Sequence, residues 1–217
     1  VQVHPDAETC KRQAKGSPKS ECWYIIDCEE DSCIYKGLKK GVTKEQFIKA
    51  IENGTCEQLL RRVNVKKGEC HYLPAGTVHA IGPGLLIAEI QTPSDTTYRV
   101  FDWNRTDSKG ISRPLHIEDA VESINFKISE NMLSVREKGR LVKSNIFNVD
   151  KHHSVSNNKI RLEQETMRVL IFISGQGSLR SGKVTVQFKA GDTLLVPFSC
   201  KSEIEFETET DYLQVTI

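Results

Sequence analysis

A chain of 217 residues can build one large β domain or two small ones, each with its own core. With 30 basic against 29 acidic residues and a net charge of +1, there is no electrostatic case for nucleic acid or for an anionic membrane surface; a small neutral or singly anionic ligand fits better. Hydrophobic content is 38%, mean hydropathy is −0.41, and no apolar run approaches the roughly 20 residues that span a bilayer, so no membrane helix is expected. The seven cysteines are odd in number and none lies in a C-x2-C pair. They read as reduced thiols, and the expected compartment is the cytoplasm.

Val1-Gln2-Val3-His4-Pro5 alternates apolar and polar side chains, which places Gln2 and His4 on one face of a strand that Pro5 ends. Two potential ligands two residues apart on a strand can reach one ion. Asp6 to Ser20 is polar, carries Lys11, Arg12, Lys15 and Lys19, and reads as a basic loop with Gly16 and Pro18 as turn formers. Glu21 to Asp27 is an aromatic and β-branched strand with Glu21 at its mouth. The ordinary fate of such a glutamate is a solvated strand end, and its position between two histidine segments is what makes it a candidate ligand.

Ser32 to Lys36 reads as a short strand closed by Gly37. The T-x-x-Q forms of Thr43–Gln46 and Thr55–Gln58 then predict two capped helices within an insertion, 43–65. Its apolar faces (Phe47, Ala50, Ile51; Leu59, Leu60, Val63) suggest a cap over the core without chemistry of its own.

The stretch from Gly68 to His79 turns sharply out of a strand. Gly68 and Gly76 can supply positive φ, Pro74 bars a helix, and His79 follows the turn at once. The spacing G-x5-P-x-G-x2-H matches the second signature of the cupin superfamily. Beyond it, Leu85 to Gln91 reads as a buried strand carrying one acid, Glu89, which must then be paired, bound to a metal or raised in pKa. Asp95, Arg99, Asp102 and Arg105 alternate with aromatic and apolar residues, and these charges could simply pair across a rim. Ile117 to Ile124 suggests a short linking helix. From about Asn125 strands resume, and Gly191 to Ser202 repeats the G-x5-P turn with Ser199 in place of the glycine and Ser202 in place of the histidine. The fold class expected is mainly β: tandem cupin (double-stranded β-helix, or jelly-roll) barrels. The metal-binding barrel covers 1–125, and a second barrel without ligands covers 126–217.

Gln2, His4, Glu21 and His79 form an oxygen and nitrogen set on three segments. Such a mixed set suits a catalytic metal with an open position, Zn²⁺ first, although iron and manganese accept it too. Taken in order, QVHPDAE, PKSECWY, YLPAGTVHAIG, LLIAEIQ and SDTTYRVFDWNR resemble the class I mannose-6-phosphate isomerases, in particular the shorter bacterial type. The resemblance is dense from Val1 to about Phe126 and collinear through the rest. It implies Gln2, His4, Glu21 and His79 as ligands of one Zn²⁺ per chain, Lys19, Glu89 and Arg99 as catalytic residues, and Lys19, Arg99 and Asp95 against a sugar-phosphate substrate. It also implies a segment ahead of Val1 that completes the first barrel. Ala7 stands where the family often has an acid, and Ser17 to Glu21 replaces the usual Gly-Lys-Thr-Glu while keeping Lys and Glu two apart. The rival expectations are a metal-containing cupin that binds a sugar phosphate without turning it over, and a cupin dioxygenase, which the charged rim disfavours.

Overall fold

The computed structural model describes residues 1–127, 133–135 and 138–217, with the backbone alone for 133–135. The chain divides into two compact units, Val1–Leu133 and Ser134–Ile217. The first contains strands β1 (Gln2–Val3), β2 (Glu21–Cys28), β3 (Cys33–Leu38), β4 (Leu60–Asn64), β5 (Glu69–Leu73), β6 (His79–Ile81), β7 (Leu85–Gln91) and β8 (Tyr98–Arg99). Its helices are α1 (Ala7–Gln13), α2 (Lys44–Glu52) and α3 (Ile117–Ser123).

One antiparallel sheet has the order β4-β3-β6-β1-β8, and a second sets β2 between β7 and β5. Alternation along β2 puts Glu21, Trp23 and Ile25 on one face, where Trp23 and Ile25 pack with Ile34, Val65 and Leu73. A separate cluster joins Val1, Val3, Ala80, Tyr98 and Val100 to Phe47 and Ile51 of α2 and to Ala120 and Val121 of α3. The short β1 is thus held between β6 and β8 on its edges and by helices on one face.

Three sequence expectations are corrected. Asp6 to Ser20 is not all loop: Asp6 caps α1, its Oδ1 accepting from the Thr9 amide at 2.7 Å, and Ala14 ends it at φ 53°. The second expected helix is a single 3₁₀ turn, Cys56–Leu59. Thr55 makes no capping bond there, and Leu60 to Asn64 instead forms β4 against β3. A free ladder edge on β3 outweighed the weak helical signal, whereas the capping box of α2 is complete in both directions, at 3.3 and 3.0 Å. The third is β7, which is half exposed because it is an edge strand: Leu86, Glu89 and Gln91 face water while Ala88 and Ile90 are buried. The short helix expected at 117–124 is present as α3.

A short strand, β9 (Leu133–Val135), lies where the units divide. The second unit holds β10 (Gly139–Lys143), β11 (Asn148–Ser154), β12 (Lys159–Leu162), β13 (Arg168–Phe172), β14 (Gln176–Ser181), β15 (Val184–Lys189), β16 (Thr193–Val196), β17 (Ser202–Phe206) and β18 (Thr210–Thr216). They form sheets β10-β11-β18-β13-β16 and β12-β17-β14-β15. Their shared interior is filled with rings: Phe172 stacks on Phe188 at 3.7 Å, and Phe206 and Tyr212 close against each other at 5.6 Å. Ser202 opens β17 as His79 opens β6, buried beside this aromatic filling.

Gly76 ties the central turn to its surroundings. Its amide donates to the His4 carbonyl at 2.8 Å, and its own carbonyl accepts from the Asn125 amide at 2.9 Å. It sits at φ +85°, and a Cβ there would come within 3.1 Å of the Asn125 Cβ and 3.2 Å of the Ser123 carbonyl. Gly76→Ala is therefore expected to lower unfolding free energy by about 1–2 kcal/mol from backbone conformation alone, with crowding added. Urea denaturation of the two proteins checks this.

Candidate metal centre

The cross-strand register builds the centre. Gln2 pairs with His79 on one side and Arg99 on the other, and His79 pairs in turn with Lys36. Paired residues of an antiparallel ladder share a face, so Lys36, His79, Gln2 and Arg99 form one row across the first sheet. Glu21 approaches from the facing sheet, and His4, just beyond β1, reaches the same point.

Geometry there is close. His4 Nε2 lies 2.9 Å from Glu21 Oε1, His79 Nε2 lies 3.6 Å from Glu21 Oε2, and Gln2 Nε2 lies 3.3 Å from His79 Nε2. His4, Glu21 and His79 are all buried, and a ligand atom from each falls within 4.8 Å of the others, a grouping that could hold a metal ion. The remaining ring nitrogens are committed to backbone: His4 Nδ1 donates to the Thr96 carbonyl at 2.8 Å and His79 Nδ1 to the Thr77 carbonyl at 2.8 Å. Both Nε2 atoms therefore turn to the centre, the orientation that metal-bound histidines adopt. His4 Nε2 is buried with no ordinary hydrogen bond, and Glu21 Oε1 has the Lys19 ammonium beside it at 3.0 Å. A bare nitrogen and a carboxylate oxygen at 2.9 Å repel unless a positive charge lies between them, so the donor set fits a cation. The Gln2 amide meets His79 through nitrogen as drawn, and a flip of the side chain presents its oxygen instead.

Around this set lie the other residues singled out by sequence. Lys19 is buried and reaches Glu21 Oε1 at 3.0 Å. Glu89 pairs with Trp23 in the ladder and so shares the face of Glu21. The residue is exposed, but partial burial of its carboxyl, ahead of the negative charge of Glu21, raises its pKa. Arg99 stands half-buried in the row beside Gln2. Asp95 stays exposed in the loop between β7 and β8. Of the basic residues before Glu21, Lys15 pairs with Asp119 of α3 at 2.7 Å and Arg12 bonds Thr9 of its own helix at 3.1 Å. The rim charges partly pair among themselves, as Asp102 holds Arg105 and Arg113.

Three buried residues near the centre were not singled out by the sequence reading: Trp23, Lys36 and His71. Trp23 was within reach of it, because a residue two beyond Glu21 must share its face. Lys36 and His71 depend on which strands pair, and no local pattern marks them.

Burial alone would raise the Glu21 carboxyl, but bonds from His4 and Lys19 and the charges of both histidines outweigh it and hold it at about 2. Burial pushes His79 down to about 4, so its Nε2 lone pair is free at neutral pH. Both shifts have one sign in consequence: between pH 6.5 and 4 the unfolded chain takes the histidine proton that the folded chain refuses, and below pH 4.5 it takes the carboxyl proton first. Stability of the metal-free protein is expected to fall as pH drops from 6.5 to 4, with His79 contributing on the order of 3 kcal/mol, and to fall further toward pH 2. Denaturant unfolding across that range checks it, and His79→Gln should flatten the upper part of the slope.

No protein-family model matches the chain. It is 38% identical over 206 residues to the mannose-6-phosphate isomerase ManA of Bacillus subtilis, a match that takes in 91% of this chain and 65% of that protein. The chain thus spans less than two thirds of the length of this curated relative. Among solved structures, the mannose 6-phosphate isomerase from Bacillus subtilis superposes with a TM-score of 0.84 at 30% identity, covering 100% of this chain and 71% of that one. A zinc-bound mannose 6-phosphate isomerase shares the fold at 13% identity, with a TM-score of 0.65 over 99% of this chain and 74% of its own. Sequence and fold together place this chain in the mannose-6-phosphate isomerase family.

Proposed function

We propose that this chain carries the active site of a mannose-6-phosphate isomerase, which interconverts mannose 6-phosphate and fructose 6-phosphate by moving a proton between C1 and C2. The observation behind this reading is the convergence of the buried His4, Glu21 and His79 on one point, with the half-buried Gln2 amide against His79 and Lys19, Glu89 and Arg99 around them. These four ligands would hold one Zn²⁺, in keeping with their mixed oxygen and nitrogen donors and with the zinc-bound relative of the same fold. When bound, the ion supplies Lewis acidity toward the sugar oxygens.

The chain's own residues divide the remaining work. Glu89 is exposed on the face it shares with Glu21 and has a raised carboxyl pKa, so it takes the proton from one sugar carbon and returns it to the next. Lys19 is occupied by Glu21 and acts as a fixed donor, not as the base. Arg99 supplies positive charge where negative charge develops on the sugar oxygens. Asp95 and Arg99 meet the sugar phosphate at the rim. The second unit, its interior filled by aromatic rings and with Ser202 where the first unit has His79, would contribute no ligand to the metal.

A coupled isomerase assay before chelation, after it, and after zinc is restored tests the reading. Activity should vanish with zinc and return with it; tight binding of the sugar phosphate without turnover would make the protein a silent binder. Glu89→Gln is expected to cut kcat by about 10²–10⁴-fold with zinc content unchanged. Arg99→Ala is expected to cut kcat by about 10²-fold with a smaller change in KM. If KM alone moves, Arg99 is an anchor for the phosphate.

A further inference from the structure

Trp23 is completely buried at the centre of β2, flanked in register by His71 on β5 and Glu89 on β7. Its indole Nε1–H donates to Glu21 Oε2 at 3.1 Å, and its ring meets the His79 ring edge-on, centroids 5.3 Å apart and planes at 84°. One side chain therefore touches two of the residues that converge at the centre, one from each sheet. We infer that Trp23 is a positioning residue of the metal centre: its N–H fixes the Glu21 carboxylate and its ring edge fixes the His79 imidazole. The inference rests on the metal reading above.

The chemistry of the donor matters as much as its place. Glu21 Oε1 is already held by Lys19 at 3.0 Å and faces His4, whereas Oε2 faces His79 at 3.6 Å and has the indole as its close donor. An indole N–H only donates, so it cannot compete with the carboxylate for a cation. It occupies one lone pair of Oε2 and leaves the other for an ion. A lysine in its place would add a charge that repels the ion, and an apolar ring would leave Oε2 free to rotate away from His79. Partners of this kind, one step removed from the metal, typically govern affinity by about 10–100-fold when removed.

The competing account is that Trp23 merely fills the core with Ile25, Ile34 and Leu73. The full chain carrying Trp23→Phe, and a second carrying the benzothiophene isostere of tryptophan at position 23, which replaces N–H by sulfur at nearly constant shape, separate the two. Zinc affinity is read by competition with a chelator of known strength, and melting of the metal-free forms is read alongside. We expect both variants to bind zinc about 10–100-fold more weakly, with the isostere melting like the unaltered protein. Zinc affinity unchanged in the isostere makes Trp23 a core filler and overturns the inference, whatever Trp23→Phe does. An unaltered protein that takes up no zinc overturns the metal reading itself, and this one with it. Fluorescence adds a readout that needs no change at Trp23. The chain has two tryptophans, so Trp103→Phe leaves Trp23 as the reporter, and its emission should change in step with the first equivalent of zinc. Emission indifferent to bound zinc would also count against the contact.

Discussion

A buried carboxylate faced by two imidazole nitrogens is the constraint from which the rest of the first unit follows. Glu21 is almost wholly removed from water, and burying an ionised carboxylate without compensation is costly enough that such a group usually neutralises instead. Here it is held ionised by donors and charge from two sheets. The peptide groups of Thr77 and Thr96 take the other nitrogen of each ring, so the arrangement cannot relax by turning the imidazoles round. A cation at the point of convergence satisfies all these groups at once.

The contrast between the two units shows what such a centre requires of a barrel. Both have paired antiparallel sheets and a G-x5-P turn that feeds a strand, His79 opening β6 and Ser202 opening β17. In the first unit, polar side chains from both sheets, His4, Glu21 and His79, meet in the interior and are buried there. In the second, Phe172, Phe188, Phe206 and Tyr212 occupy the interior with stacked and tilted rings, and this apolar packing stabilises the unit.

What was legible in the sequence is what depends on local chemistry. The turn before His79 is written in glycine, proline and their spacing, and the pairing of Gln2 with His4 follows from the period of a strand. The helix over Lys44–Glu52 was legible because its cap is reciprocal. Features fixed by strand partners were not. Glu89 read as a buried acid because its neighbours are apolar, but among the described residues β7 has a strand on one side only, and alternate residues near its end stand in water. Leu60 to Asn64 read as helix until β3 supplied an edge to pair with. Lys36 joins the row of His79 through register alone, which is a property of two strands 43 residues apart and is absent from either one.

The exposure of Glu89 also bears on the chemistry. In the proposed isomerase, a base sealed in the core could be raised in pKa further, but it would have no path to a sugar arriving from solvent. On β7 the backbone of the residue is anchored by β2 while the side chain is exposed, near enough to Glu21 for its charge to be felt. Lys19 occupies the opposite situation, buried and bonded to the same carboxylate. The two groups that sequence alone could not rank as proton carrier are thus separated by position. In the proposed reaction the exposed one serves as the base, its carboxyl raised first by partial burial and then by the charge of Glu21; the other is bonded to that same carboxylate.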